Sequence, residues 1–297
     1  MSNKLRKMTL EKKHNLTGWA FLAPATFLIA VFSFWPMIKA LVLSFQTGKG
    51  RNMQMAGFTN YIRMFQDDVF IQSIKNTFFY FILQVPIMLV VAMVLACILN
   101  KKDLRFKGFF RTMIFLPCTT SLVAYSIIFR SLFANNGLVN YVLVNIGILD
   151  KPYNFLTQPF AAKMVILLGL LWRWTGYNMV FFLSGLQNIE YSVYEAAKID
   201  GASAIQTFFK ITVPLLKPTI LLTAIMSTNG TLQLFDESIN LTDGGPANAS
   251  ISMSHYIYNL CFKYVPNFGY AAAMSFFILL LVAVLAFIQM RVGDKRD

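Results

Sequence analysis

Residues 76–100 read NTFFYFILQVPIMLVVAMVLACILN, with no charge at any position, and residues 101–111 then carry Lys101, Lys102, Arg105, Lys107 and Arg111. A helix rises about 1.5 Å per residue, so roughly 20 apolar residues cross the hydrocarbon core of a bilayer. The run lacks the strict alternation of a barrel strand. A helix is the other way to satisfy every backbone group in lipid. A long apolar run closed by a burst of lysine and arginine therefore reads as a membrane-spanning helix ending at the cytoplasmic face.

Working outward, five more runs qualify: 18–38, continuing to Phe45; 112–129; about 162–189, interrupted by Arg173; 218–235; and about 266–290. The first is too long for a cleaved leader, and Trp35-Pro36 is a poor approach to a cleavage site, so it is expected to be retained. Composition agrees: 57% of residues are hydrophobic and only 13% charged, against about a quarter in soluble domains, and mean hydropathy is +0.57. The net charge of +13 does not point to nucleic acid, because the basic residues sit in short clusters between apolar runs. Sixteen lie in the tails and the loops after the second and fourth runs, six in the remaining loops. That bias places both termini in the cytoplasm. The expectation is an all-α membrane protein with six transmembrane helices. It comprises a basic cytoplasmic tail 1–17, one membrane domain 18–290 and a tail 291–297. Pro24, Pro86 and Pro117 fall within helices as kink positions.

Several chemistries are missing. No phosphate-binding loop exists, since Gly48-Lys49-Gly50 lacks the spacing, so any ATP hydrolysis would have to come from a partner. Cys97, Cys118 and Cys261 show no disulfide or metal pattern. His14 and His255 fall in loops on opposite sides. Nothing resembles a nucleophile–base pair, so an enzyme is not expected, nor a cofactor bound by this chain.

The loop 190–214 reads EYSVYEAAKIDGASAIQTFFKITVP. Ser192 with Glu195 forms the sequence pattern of a capping box, and Gly201 is a helix stop. Ile205, Phe208 and Phe209 share one face of a second short helix, and Pro214 breaks the chain before the fifth run. Two readings of this helix–turn–helix stay open: an interfacial element on lipid headgroups, or a docking element.

Here the chain resembles the permease subunits of binding-protein-dependent ABC importers. Glu195-Ala196-Ala197, then Gly201, then Ile211-Thr212-Val213-Pro214 match their "EAA loop", with Val213 standing where leucine is usual. Leu43-Ser44-Phe45, Gly57 to Tyr61, Asn76-Thr77, Phe110-Arg111 with Leu116-Pro117, Gly137 to Asn140 and Leu241 to Pro246 are similar to the sugar-permease branch. That branch includes the larger membrane subunit of the maltose transporter and the multiple-sugar and glycerol-phosphate permeases. The resemblance implies a type I importer permease fold in the bacterial cytoplasmic membrane. It also implies that Glu195, Ala196, Ala197, Asp200 and Gly201 couple to the ATPase. The implied partners are a second homologous permease, two ATP-binding cassette subunits and an extracytoplasmic sugar-binding protein, with membrane lipid around them.

Polar groups inside a membrane are costly and hence functional candidates. Two stretches supply them: Trp172 to Asn178, and Ser227 to Gln233. By the resemblance, Gly176, Ser227, Gly230 and Thr231 line the sugar path, with Tyr177, Asn178, Asn229 and Gln233 beside them. The competing reading is bonding between helices without a ligand. Arg173 costs about 2.5–3.5 kcal/mol on insertion scales. It is expected to pair with Asp236 or Glu237; the alternative is a fork reading an anionic sugar or sugar phosphate. A self-sufficient secondary transporter would show internal repeats and a midplane carboxylate, and neither is found.

Overall fold

The computed structural model describes residues 10–49, 52–101 and 103–293. Lys4, Arg6, Lys7, Arg51, Lys102, Lys295 and Arg296, which enter the charge bias, lie outside the described residues. The chain begins with α1 (Leu10–Ile29), which starts inside the stretch expected as tail. It runs through a π-helical turn, Ala30–Phe34, into α2 (Trp35–Ser44). An antiparallel hairpin follows, β1 (Gln46–Lys49) against β2 (Asn52–Met55), with Gln46 opposite Met55. This hairpin departs from the all-helical expectation. It is followed by α3 (Thr59–Met64) and by α4 (Asp68–Asn100).

Next come α5 (Lys107–Thr119), α6 (Leu122–Leu132), α7 (Leu138–Asn145) and α8 (Pro159–Gln187). The short elements α9 (Tyr191–Ile199), α10 (Ala204–Thr207) and α11 (Val213–Leu215) lead into α12 (Lys217–Leu232). The chain closes with α13 (Met253–Tyr258) and α14 (Phe268–Gly293). Four stretches are long and apolar enough to span alone: His14–Ser44, α4, α8 and α14. Two bent pairs supply the other spans, α5 with α6 at 98° and Ala204–Leu215 with α12 at 71°. Six spans result when each pair is counted once.

Two expected spans are thus corrected. The run 112–129 is not one helix. Pro117 has no N–H for its turn, and Thr119 and Thr120 donate their hydroxyls to the carbonyls of Leu116 and Pro117 at 2.8 and 2.7 Å. Those bonds end α5 and let the chain turn. The fifth helix ends at Leu232 rather than Phe235, and its lower break falls at Leu216, two residues beyond Pro214. Pro86, by contrast, leaves α4 uninterrupted.

α4 and α8 form the central pair. Lipid tails are as apolar as leucine, so close packing rather than transfer from water holds such helices together. Ala92 and Ala96 are small and fully buried, in one cluster with Met179, Phe182 and Leu183. Higher up, Tyr80, Tyr125, Phe129, Ile166 and Leu170 form a second cluster. A third joins Met64, Phe70, Tyr256 and Tyr270 at the end carrying Asp67. Asp67 caps α4 by accepting from Val69 and Phe70 N–H at 2.9 and 3.2 Å. Its other oxygen accepts the Tyr256 and Tyr270 hydroxyls, each at 2.7 Å.

Side-chain amides pin the loops at that end. Asn60 donates to the carbonyls of Ser44 and Gln46 at 2.9 and 2.7 Å, closing α2. Asn76 donates to the Asn248 and Ile251 carbonyls at 3.1 and 2.9 Å. Asn140 donates to the Ala134 and Tyr153 carbonyls, both at 3.0 Å. Buried backbone groups in irregular segments need such partners. In contrast, every residue from 14 to 39 is exposed, and the rod meets the body chiefly where α2 packs on α14.

Candidate functional site

On α8, positions 174, 177 and 178 share a face by helical spacing; on α12, positions 227, 230 and 231 do the same. The two faces meet across α4 and enclose a cavity of about 380 Å³. Trp174, Tyr177 and Asn178 line one side. Ser227, Asn229, Gly230, Thr231 and Gln233 line another, and Gln84 and Met88 of α4 the third. Beyond the end of α12, Phe235, Asp236 and Glu237 complete the wall.

The polar groups bond one another in a chain. Ser227 Oγ donates to Asn178 Oδ1 at 3.3 Å, and Asn178 Nδ2 donates to the Trp174 carbonyl at 3.1 Å. Thr231 Oγ1 has two acceptors for its one proton, Gln84 Oε1 at 2.7 Å and the Ser227 carbonyl at 2.9 Å. Gln233 Nε2 donates to Asn229 Oδ1 at 2.5 Å. A hydroxyl both donates and accepts, and amides and hydroxyls present both roles. Trp174 stands edge-on to Tyr177 with ring centroids 5.9 Å apart, which adds flat apolar surface. The wall matches a polyol: exchangeable hydrogen bonds with an aromatic face beside them.

Seven of the residues expected on the path are thus together: Tyr177, Asn178, Ser227, Asn229, Gly230, Thr231 and Gln233. Arg173 and Gly176 are not; both face α5. A Cβ at Gly176 would collide with the Ile114 carbonyl, so glycine is what lets α5 approach α8. Arg173 is only 6% exposed. Its Nη1 donates to the Thr120 carbonyl at 2.8 Å, with the Pro117 carbonyl and Thr120 Oγ1 at 3.4 Å. Its guanidinium lies 5.4 and 5.5 Å from the Tyr125 and Trp174 rings. No ion pair joins it to Asp236 or Glu237 among the described residues. The expected pairing is corrected. The end of α5 carries the negative end of its dipole, and the guanidinium sits there, donating to the Thr120 carbonyl just past the helix.

Gln84, Met88, Met226, Phe235, Asp236 and Glu237 also line the cavity but were not among the expected path residues. Gln84 had a signal: it is the one amide between residues 77 and 99. The acids had been assigned to Arg173.

At the end carrying Asn100, the loop 190–214 folds as two short helices. The capping box expected at Ser192 does not form. α9 begins at Tyr191 with Glu190 as its cap, so Ser192 is already helical, and its hydroxyl turns to Glu190 Oε2 at 3.3 Å. The box forms instead at Ser203 and Gln206, whose reciprocal bonds measure 3.3 and 2.8 Å. Gly201 ends α9 at φ +74°, with the Ala202 N–H donating to the Ala197 carbonyl at 2.9 Å. Glu195, Ala196, Asp200 and Gly201 are exposed, while Ala197 is buried. Ile199, Ile205 and Phe209 form exposed apolar surface beside them. No group of metal-ligating residues exists among the described residues.

A family model described as "Binding-protein-dependent transport system inner membrane component" matches residues 68–296. The chain is 51% identical over 292 residues, 98% of each protein, to the lactose transport system permease protein of Rhizobium radiobacter. It is 33% identical over 291 residues, 97% of this chain and 99% of the other, to a multiple sugar-binding transport system permease protein of Streptococcus mutans. Its fold matches a permease chain in the crystal structure of a bacterial alginate ABC transporter in complex with an alginate pentasaccharide-bound periplasmic protein. The TM-score is 0.84 at 25% identity over 96% of both chains.

Proposed function

The chain belongs to the family of binding-protein-dependent transport system inner membrane components, and from that membership we propose that it forms one half of the translocation path of an ATP-driven di- or oligosaccharide importer. It is a multi-pass inner-membrane permease subunit of a sugar ABC transporter, in a family of non-catalytic membrane subunits. The observation that carries the finer reading is the cavity of about 380 Å³ walled by hydroxyls, amides and an aromatic face.

A second, homologous permease completes the path and covers the exposed rod of α1 and α2. Two ATP-binding cassette subunits complete the assembly, and one of them docks at the loop 190–214, where Glu195, Ala196, Asp200 and Gly201 are exposed and Ala197 is buried. An extracytoplasmic binding protein delivers the sugar at the end carrying Asp67. Both termini then lie in the cytoplasm. A cysteine at Asn136 is expected to label from outside intact cells.

The deciding experiment is disaccharide uptake by the complete transporter carrying Thr231→Val or Asn178→Leu. Each is expected to lower uptake at least tenfold while ATPase subunits still co-purify. Uptake at the original rate in both variants, or uptake driven by an ion gradient without ATP, would refute the proposal.

A further inference from the structure

We propose that Asp236 and Glu237 make this chain's cavity selective for uncharged sugars and exclude sugars bearing a carboxylate or phosphate; the inference rests on the reading of that cavity as the sugar path. None of the cavity's lining residues is a lysine, arginine or histidine, and two are acids. Glu237 is 4% exposed and Asp236 is half-buried beside it. The nearest cation is Arg173. Its guanidinium is turned to the broken end of α5, where it serves the Thr120 carbonyl. It makes no ion pair within 4.0 Å among the described residues. With that guanidinium turned away, the wall presents two carboxyls and no cationic side chain to a ligand.

That balance has opposite consequences for two classes of ligand. A sugar hydroxyl can donate to a carboxylate, and such charge-assisted bonds are the strong ones. A carboxylate or phosphate on the sugar would lose water and meet a like charge with no cation in the wall to replace it, which is the costly case for a buried ion. The amides and hydroxyls of the wall serve both classes, so the discrimination resides in the acid pair.

The test uses the complete transporter reconstituted in nanodiscs at pH 7.5, with the substitutions made in this chain. Probes are lactose and cellobiose against the corresponding disaccharides with one C6 hydroxymethyl oxidised to a carboxylate. Binding is read by tryptophan fluorescence and confirmed by thermal shift. The wild-type chain is expected to bind the neutral sugars at least tenfold more tightly than the acids, about 1.4 kcal/mol. In Glu237→Gln, and further in Asp236→Asn/Glu237→Gln, that ratio is expected to fall toward one. Thermal melting establishes that each variant is folded, and Asp236→Asn alone serves if the others are not. Equal binding of both classes by the wild-type chain overturns the inference and leaves the sugar path standing, as does an unchanged ratio in folded variants. Binding of neither class removes the sugar path, and the inference with it.

Discussion

Replacing Arg173 by leucine separates two free energies that a soluble protein would merge. Inserting α8 into lipid should become easier, by about 2.5–3.5 kcal/mol, because a guanidinium no longer enters the hydrocarbon. Packing α8 against α5 should become weaker. The Thr120 carbonyl loses its 2.8 Å donor, and a charge-assisted bond contributes about 1.5–3 kcal/mol net, with about 1–3 kcal/mol when a buried acceptor is left bare. These overlap, so the expected loss of folded stability is about 2–4 kcal/mol, read as a lower unfolding midpoint in mixed micelles. Glycosylation-mapped insertion of α8 should meanwhile rise. The decisive control is Arg173→Gln combined with Glu237→Gln. An ion pair would leave Glu237 buried and unpaired in the single variant, and its neutralisation would recover most of the loss. With the guanidinium on carbonyls, the double variant should recover less than about 1 kcal/mol. Recovery of most of the loss, or Arg173→Leu as stable as wild type, would refute the assignment.

Three further outcomes are expected. Gly176→Ala should impair folding or assembly because its Cβ collides with the Ile114 carbonyl, whereas a Cβ at Gly230 meets nothing within 4 Å; Gly230→Ala should fold normally in a melting assay. Gly201→Asp should abolish uptake while insertion survives, since φ is +74° there and a Cβ is strained at that angle; normal ATPase co-purification with normal transport would rule out the loop as the coupling element. At Asp67, burial raises the carboxyl pKa, but the Tyr256 and Tyr270 hydroxyls and the Phe70 and Val69 N–H groups more than offset it, so the net shift is downward from 3.8. A lowered folded pKa means that the carboxylate stabilises above the unfolded value and loses that contribution as pH falls through the folded one. The gap in melting temperature between wild type and Asp67→Asn should therefore hold from pH 6 to about pH 4.5 and close below it. A gap that widens in acid would contradict the assignment.

The spans were legible because lipid leaves the backbone so few options: runs without charge had to be helices, and charge clusters had to lie outside them. The break after Thr119 was not legible, because Pro117 announces a weakened turn but not a bend of 98°. That bend depends on two threonines turning back and on a guanidinium from another helix. Arg173 was misplaced for a related reason. Sequence offers carboxylates as partners for arginine, while helix-end carbonyls have no letter of their own. The seven path residues found together share two short stretches whose helical phase was readable. Gly176 lies in the same stretch but on the opposite face, and only the depth of α5's approach reveals that.

The joint at Leu216 turns α12 into a lever. Sixteen residues at about 1.5 Å each make an arm of about 24 Å from the joint to the cavity wall. Rotating that arm by about 5° sweeps its far end through about 2 Å, comparable to the separation of two hydrogen-bonded atoms. Because Ala204–Leu215 meets the arm at 71°, the proposed coupling would redirect a small push along the surface at Gly201 into a sideways swing at Thr231 and Gln233. Asp67, by tying α4, α13 and α14 at one carboxylate, supplies the fixed frame against which such a swing would register.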